Sequence, residues 1–448
     1  MTTWKLRIKS LTPVQLIVSY YIIAVTVSVA LLSLPIAHKP EVQLSFMDAL
    51  FTAVSAVSVT GLSTVSTADT FSVPGIFILA FVLQFGGIGV MTLGTFVWLV
   101  MGKKIGLKER QLIMTDQNQS TLSGIVNLMK QILVLILIIE FIGGLILSTY
   151  FLKYYPTWQE AFLHGFFTSI SATTNGGFDI TGASMIPYAE DYFIQFVIII
   201  LITLGAIGFP VLIELKDFLA NKKERFRFTL FTKIASITFL ALIVGGTVLI
   251  AVFEYAYFFE GKSWHEIFFY SLFQSTATRS GGLATMDVSI FTEPTLLILC
   301  ALMFIGASPS SVGGGIRTTT FALNLLFLFH FAKGNKNVKI FKRELHEDDI
   351  TKSLVVTMMA IILCFTSVLI LSLTEHFDFV EILFEVCSAF GTTGLSMGIT
   401  SDLSTIGKII IMILMFIGRI GILSFLYLLG TRETKANYHY PKERIIIG

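Results

Sequence analysis

The sequence predicts an all-α integral membrane protein made of four tandem repeats, each with a span, a short re-entrant helix and a second span. Three observations support this class. Hydrophobic residues make up 54% of the 448 residues and charged residues only 13%, with a mean hydropathy of +0.81, far from the balance of a soluble domain. Eight apolar segments follow one another along the chain, and a glycine motif recurs four times between them.

The apolar segments carry few charges, and nearly all reach the roughly 20 residues that a helix needs to cross the hydrocarbon core. They lie at 14–34, 75–101, 130–151, 192–215, 231–256, 294–331, 353–374 and 407–430. The sixth segment is interrupted by the sequence ASPSSVGGG. The first segment is too long for the core of a signal peptide, so we expect it to be retained.

Basic residues cluster in alternate connections. Lys5, Arg7 and Lys9 precede the first span, and further clusters follow the second, fourth, sixth and eighth spans, whereas the other loops hold only isolated cations such as Lys39. The positive-inside rule therefore places both termini in the cytoplasm. We expect a multi-pass protein of the cell membrane with eight transmembrane helices.

Each outward-facing connection has an acidic residue, a short apolar stretch and then a glycine motif. The motifs read VTGLS, TNGGF, RSGGL and TTGLS, and the acidic residues that precede them are Asp48, Glu160, Glu266 and Glu381. Aligning one glycine of each motif selects Gly61, Gly176, Gly281 and Gly394. This alignment divides the chain into repeats at 1–101, 102–220, 221–335 and 336–431, followed by a cytoplasmic tail at 432–448.

The apolar stretch between acid and glycine has about 10 to 12 residues, which is too short to span a bilayer and indicates a re-entrant helix. A carboxylate is favourable at the helix N-terminus, and the negative end of the helix dipole then faces the glycine motif. Four such ends around one axis favour a cation. A lone TG pair would indicate only packing or a turn, as we expect for QFGGIG at 84–89, but four copies in the same context favour ion binding.

This fourfold pattern of span, pore helix, TG or GG loop and span resembles the superfamily of Trk, Ktr and HKT cation transporters. The fold of that superfamily is similar to a potassium-channel tetramer written as one polypeptide. With eight spans and short loops, the chain is most similar to the KtrB-type potassium-translocating subunits. Because glycine occupies the filter position in all four repeats, the resemblance implies potassium transport.

The resemblance also implies a selectivity filter in which backbone carbonyl oxygens bind potassium. The residues assigned to it are Val59, Thr60, Gly61, Leu62, Thr174, Asn175, Gly176, Gly177, Arg279, Ser280, Gly281, Gly282, Thr392, Thr393, Gly394 and Leu395. Asn175 and Ser280 are aligned with the threonines Thr60 and Thr393. A filter with unlike walls should have fewer well-formed ion sites.

The segment IGASPSSVGGGIRTTT must interrupt its helix, because Pro309 cannot continue the backbone hydrogen bonds and three glycines remove side-chain constraint. By itself this break is equally consistent with a packing kink, and the missing lysine argues against a phosphate-binding loop. The resemblance implies an intramembrane loop that obstructs the pore. The gate residues so assigned are Ser308, Pro309, Ser310, Ser311, Val312, Gly313, Gly314 and Gly315.

Two arginines lie in unusual places. Arg419 is in the middle of the last span, where a charge costs at least about 2.5 to 3.5 kcal/mol, so it should face a cavity and bind a partner. The resemblance implies that Arg419 regulates flow through the pore, and we expect it to contact the 308–315 loop. Arg279 precedes the third glycine motif and either tunes the filter or points away and pairs behind it. Glu140, Glu214 and Glu254 are expected near span ends in structural pairs.

The resemblance implies a KtrA-type cytoplasmic ring as regulatory partner, with nucleotide bound only by that partner. No cofactor is expected in this chain; potassium is the transported ion, and sodium is left open as an activator. The C-terminal IIIG indicates a homodimer contact, and the bilayer is the remaining partner, with no nucleic acid.

Three function classes were compared. The favoured one is a channel-like pore, and the alternative is a sodium-coupled symporter with alternating access, in which broken helices hold the ion. The third class is a membrane enzyme, or a non-transporting receptor or scaffold. An enzyme lacks support because the sequence has no metal-ligand cluster, no nucleophile with its base and no phosphate loop in membrane context, and a scaffold would not need four filter-like loops. The three cysteines, Cys300, Cys364 and Cys387, have no metal-site spacing and an odd count, so they indicate packing.

Overall fold

The computed structural model describes residues 12–89, 110, 124–220, 226–335, 337–429, 441 and 443. These residues form helices and one small hairpin. The helices are α1 (Pro13–Leu32), α2 (Phe46–Ser58), α3 (Thr67–Thr70), α4 (Val73–Ile88), α5 (Ile125–Phe151), α6 (Trp158–Thr173), α7 (Tyr192–Ala206), α8 (Phe209–Ala220), α9 (Leu230–Phe253), α10 (Trp264–Ala277), α11 (Glu293–Ile305), α12 (Thr318–Ala332), α13 (Glu347–Thr374), α14 (Phe379–Gly391), α15 (Thr405–Ile420) and α16 (Ile422–Leu429). Strands β1 (Lys339–Ile340) and β2 (Arg343–Glu344) pair antiparallel.

Four helices of the described residues, α1, α5, α9 and α13, are individually long and apolar enough to cross a membrane. Two bent pairs bring the count to six, because α7 and α8 together, and α15 and α16 together, also meet the criteria of length and composition. The shorter apolar helices are α2, α4, α11 and α12. The described chain is therefore a largely helical membrane protein, and part of the second predicted span, residues 90–101, lies outside the described residues.

The predicted spans at 192–215 and 407–430 are bent helix pairs, not single continuous helices. The chain bends by 105° between α7 and α8 and by 103° between α15 and α16. The bends lie at Gly208 and Gly421, whose φ angles of +105° and +88° are ones that glycine adopts without the steric cost of a Cβ. Apolar composition predicts that a segment lies in the membrane, but it does not predict its direction.

Each predicted re-entrant helix is present as a short helix, and we call α2, α6, α10 and α14 the short helices. Asp48, Glu160, Glu266 and Glu381 lie in their first turns. The residue three places earlier is the N-cap in every case. Glu266 and Glu381 accept hydrogen bonds from the backbone N–H groups of their own N-cap residues, at 2.7 Å and 2.9 Å. The carboxylates therefore satisfy backbone donors at the helix start as well as complementing the dipole.

The apolar helix that comes after each short helix in the same repeat packs against the short helix of the next repeat. Thus α4 packs on α6, α7 on α10, and α11 on α14, while α15 returns to pack on α2. The return contact includes an ion pair between Lys408 on α15 and Asp48 on α2, with an Nζ to Oδ1 distance of 3.3 Å. Each repeat therefore packs on the next one, and the fourth packs on the first, so that the contacts form a closed cycle.

The acidic residues of the long helices take two kinds of position. Glu254 and Glu375, at the ends of α9 and α13, accept hydrogen bonds from the backbone N–H groups of Thr292 and Ser404, which cap α11 and α15. Glu140 differs from the prediction: it lies in the middle of α5, not near its end, and is buried. Its carboxylate accepts a hydrogen bond of 2.6 Å from the amide of Gln84 on α4.

Candidate functional site

The segments that follow the four short helices share one backbone conformation, and we call them the glycine loops: residues 59–62, 175–178, 280–283 and 392–395. Each begins with a non-glycine residue of positive φ, namely Val59, Asn175, Ser280 or Thr392. Two residues later each has a glycine of positive φ. These glycines are Gly61, Gly177, Gly282 and Gly394, with φ angles of +96°, +67°, +67° and +93°.

This shared conformation corrects the alignment of the second and third repeats by one residue. The equivalents of Gly61 and Gly394 are Gly177 and Gly282, not Gly176 and Gly281. Gly176 and Gly281 instead occupy the positions of the threonines Thr60 and Thr393. A pair of adjacent glycines offers two alignments, and only the backbone angles distinguish them.

The four positive-φ glycines lie against one another. A Cβ at Gly61 would be 2.7 Å from the Gly176 carbonyl oxygen and 2.8 Å from the Gly177 Cα atom, and a Cβ at Gly177 would be 3.1 Å from the Gly282 Cα atom. One at Gly282 would be 3.5 Å from the Gly394 Cα atom, and one at Gly394 would be 3.0 Å from the Gly61 Cα atom. The four glycines thus form a ring with no room for side chains, which we call the glycine ring.

Backbone carbonyl groups lie at this ring. The carbonyl oxygen of Thr60 is 2.2 Å and that of Thr393 is 2.4 Å from the Cβ positions of the neighbouring repeats, at Gly394 and Gly282. Among the described residues, no group of three or more His, Cys, Asp or Glu side chains could hold a metal ion. The donor set at the ring is carbonyl oxygen, which suits a partly dehydrated monovalent cation.

The Arg279 side chain is directed at the end of α11, an arrangement that favours the predicted pairing behind the filter. Its side chain is fully buried, and its guanidinium donates to the carbonyl oxygens of Leu302 and Gly306, the latter at 3.2 Å. Both carbonyls are at the C-terminal end of α11, where the helix dipole favours a cation. Arg279 therefore joins the end of α10 to the end of α11.

The break between α11 and α12 forms a buried loop beneath the glycine ring, and we call residues 306–317 the central loop. Its backbone N–H groups at Ser308 and Val312 donate to the carbonyl oxygens of Ala206 and Gly205, at 3.0 Å and 3.2 Å. Its Gly314 N–H donates to the Ser280 hydroxyl at 3.3 Å.

Two further contacts place the central loop beneath the remaining repeats. A Cβ at Gly314 would meet Thr392 of the fourth repeat, and one at Gly87 would be 3.3 Å from a Val312 methyl group. With the contacts to the second and third repeats, the loop touches all four. The break is thus a hydrogen-bonded loop that contacts all four repeats.

Arg419, at the end of α15, contacts the central loop as expected. Its guanidinium donates to the carbonyl oxygen of Val312 and to that of Gly86 in the first repeat. Because the contact joins the fourth repeat, the loop of the third and α4 of the first, Arg419 fixes the loop against two neighbours.

Sequence reasoning missed two polar residues at this site. Arg317 ends the central loop, and its guanidinium donates to the carbonyl oxygen of Gly313. Glu385 is buried in α14 behind the fourth glycine loop and accepts hydrogen bonds from the hydroxyls of Ser396 and Thr400. Arg317 could have been noticed as a charge inside the broken apolar segment, by the same reasoning that identified Arg419.

Comparison with known proteins decides the family. Residues 2–435 match the TrkH family, which is described as a cation transport protein family. The chain belongs to the TrkH family. The predicted resemblance to the Trk, Ktr and HKT superfamily is therefore confirmed, and the glycine ring and central loop are features of a TrkH-family protein.

Individual TrkH-family relatives cover almost the whole chain. It is 71% identical over 441 residues to Ktr system potassium uptake protein D of Bacillus subtilis strain 168, covering 98% of each chain. It is 36% identical to Ktr system potassium uptake protein B of the same organism, covering 98% of this chain and 97% of the relative.

A solved structure shares the fold. The crystal structure of the potassium transporter TrkH from Vibrio parahaemolyticus matches with a TM-score of 0.70 at 19% sequence identity, covering 92% of this chain and 84% of the other.

Proposed function

We propose that this protein takes up potassium across the cell membrane through a single-chain pore whose selectivity filter is the glycine ring. The observation that carries the proposal is the mutual contact of Gly61, Gly177, Gly282 and Gly394, one from each repeat. The relatives named above are potassium uptake proteins, which favours potassium as the cargo. Eight spans, four repeats divided at residues 101, 220 and 335, and cytoplasmic termini complete the proposed architecture.

The filter acts through carbonyl oxygens that replace the hydration shell of the ion. The C-terminal ends of the four short helices face the glycine loops and contribute partial negative charge. Since Gly176 and Gly281 occupy the positions of Thr60 and Thr393, hydroxyl groups are present on only two walls at that level. We therefore expect fewer ordered ion sites than in a filter with four identical walls.

Flux measurements on purified protein in liposomes test the proposal. Rubidium uptake should be competed by potassium more strongly than by sodium, and Gly61→Ser should reduce this preference because a Cβ there meets the Gly176 carbonyl oxygen at 2.7 Å. Gly261→Ser is the matched control: Gly261 has a φ of +76° but no atom within 4 Å of its Cβ position. Equal preference before and after Gly61→Ser would refute the filter assignment.

We further propose that the central loop, residues 308–315 above all, is the gate and that Arg419 stabilises its closed position. Arg419→Ala removes donors to the Val312 and Gly86 carbonyl oxygens. Its expected result is faster potassium uptake in cells that lack their own uptake systems. Uptake at the wild-type rate, with equal protein in the membrane, would contradict a gating role.

The proposed regulator is a KtrA-type cytoplasmic ring, which would bind nucleotide while this chain binds none. The alternative mechanism is a sodium-coupled symporter with alternating access. Potassium flux measured with and without a sodium gradient, in the absence and presence of such a ring, separates the two. Uptake driven uphill by sodium would favour the symporter, and passive flux that only the ring modulates would favour the pore.

A further inference from the structure

The central loop presents two consecutive carbonyl oxygens to two different arginines. Arg419 binds the carbonyl of Val312, and Arg317 binds that of Gly313. Arg419 reaches the loop from α15 of the fourth repeat, whereas Arg317 belongs to the loop itself and folds back onto it. Hydrogen bonds from a charged donor are about twice as strong as neutral ones, so each contact is a substantial restraint on the loop.

The backbone at Arg317 is strained. Its φ is +80°, a conformation in which a residue with a Cβ meets steric conflict. Arg317 is also the N-cap of α12, where the positive end of the helix dipole disfavours a cation. Moreover, Arg317 and Arg419 bind the carbonyl oxygens of adjacent residues, so their two positive charges lie near each other and repel. Three unfavourable contributions therefore meet at the residue that holds Gly313.

A cavity of about 490 Å³ lies beside this contact. The central loop, α9, α12, α13 and α16 surround it, and Arg317 is on its wall together with two charged residues of α13, Asp349 and Lys352. Within the described part of the chain, Arg317 makes no ion pair with Asp349 or any other carboxylate. The guanidinium thus has space, and a carboxylate on the same cavity wall, if it leaves Gly313.

We infer that Arg317 is a positioning residue that latches the central loop in its closed position and releases it by moving its guanidinium into this cavity. The inference rests on the proposed function of the loop as a gate. The strain at Arg317 keeps the latched state only slightly favoured, so that a modest input from a regulator suffices to open it.

Two variants remove the latch in different ways. Arg317→Gln removes the guanidinium but keeps a residue with a Cβ at the strained φ of +80°. Arg317→Gly removes the guanidinium and also places glycine at this φ, so this variant is expected to fold at least as well as the wild type. Lys352→Gln is the matched control, since it removes one positive charge from the same cavity wall without touching the loop. Thermal unfolding in detergent verifies that each variant is folded.

Two readouts are compared in each variant. The first is rubidium uptake into liposomes without a regulator. The second is independent of transport: the rate at which a thiol reagent labels Ser311→Cys, introduced into the loop in each background, given that the native cysteines are buried.

Both Arg317 variants should raise uptake and labelling about tenfold, the effect of losing one charge-assisted hydrogen bond, and Lys352→Gln should change neither. Wild-type labelling in both Arg317 variants would overturn the latch. An equal rise in Lys352→Gln would also overturn it and assign the effect to cavity charge. Faster labelling with no uptake in any form, wild type included, would support the latch and refute the proposed pore.

Discussion

At the scale of single residues, the site is built from backbone groups, and charged side chains serve to hold them. Arg279 illustrates this arrangement, because its fully buried guanidinium binds carbonyl oxygens at the end of α11. Arg419 and Arg317 bind carbonyl oxygens of the central loop in the same manner. Residue type alone does not distinguish these arginines; the carbonyl oxygens that they bind do.

Arg279→Met should lower the stability of the protein without altering its ion preference. The substitution leaves the Gly306 carbonyl without its donor, whereas the Leu302 carbonyl keeps its hydrogen bond from the Gly306 N–H at 3.1 Å. An unsatisfied buried group costs about 1 to 3 kcal/mol. Thermal unfolding in detergent measures the loss. A variant of normal stability that conducts sodium as well as potassium would instead place Arg279 in the ion path.

The sequence predicts the residues of the site better than their register. The four acidic residues and the four glycine motifs identify the short helices, because dipole and backbone requirements recur in each repeat. The second and third motifs were aligned one residue early, on Gly176 and Gly281 instead of Gly177 and Gly282, since either glycine of a pair satisfies the motif. Glu385 was missed because its partners, Ser396 and Thr400, follow a glycine loop whose path the sequence does not reveal. Arg317 was overlooked although it is a charge inside a broken apolar segment.

At the scale of elements, each short helix is fixed at its N-terminus by polar contacts and at its C-terminus by a glycine loop. Asp48 on α2 shows how the N-terminal contacts cooperate. Partial burial alone would raise the pKa of Asp48, but a hydrogen bond from the Ser45 hydroxyl and the Lys408 ammonium lower the pKa below its ordinary value. The ionised carboxylate therefore stabilises the closed cycle of packing between α15 and α2.

Asp48→Asn should lower the thermal stability at pH 7 by about 0.5 to 1 kcal/mol, as for a partly exposed ion pair. Because the folded-state pKa is depressed, the contribution of Asp48 is complete above the unfolded-state value, about 4, and is lost as the pH falls through the folded-state value. The difference between wild type and variant should therefore shrink below pH 4. Glu41→Gln, an exposed loop substitution, is the control; a difference that persists in acid would contradict the ion-pair contribution.

Helix bends were the least predictable elements. The bends of 105° and 103° after α7 and α15 depend on one glycine each, and apolar residues continue on both sides, so hydrophobic pattern gives no sign of a turn. The broken α11–α12 segment was predicted because Pro309 and three glycines interrupt the pattern itself.

At the scale of the whole molecule, we propose a homodimer in which the C-terminal residues 444–448 contribute to the interface; residues 444–448 lie outside the described residues. Deleting these five residues should shift the purified protein from dimer towards monomer, because an apolar IIIG end would lose its burial. Light scattering during gel filtration measures the mass. Lys435→Gln is a control within the same tail, and a deletion variant that keeps the dimer mass would remove this interface from the proposal.

The central loop has a consequence for the number of chains. The glycine ring takes one equivalent residue from each repeat, but the space beneath it is filled by a single loop from the third repeat that contacts all the others. Four identical subunits would bring four such loops into a volume that holds one, and their backbones would overlap. A loop of this kind therefore requires quarters that differ from one another, and joining the quarters into one polypeptide guarantees one such loop per glycine ring.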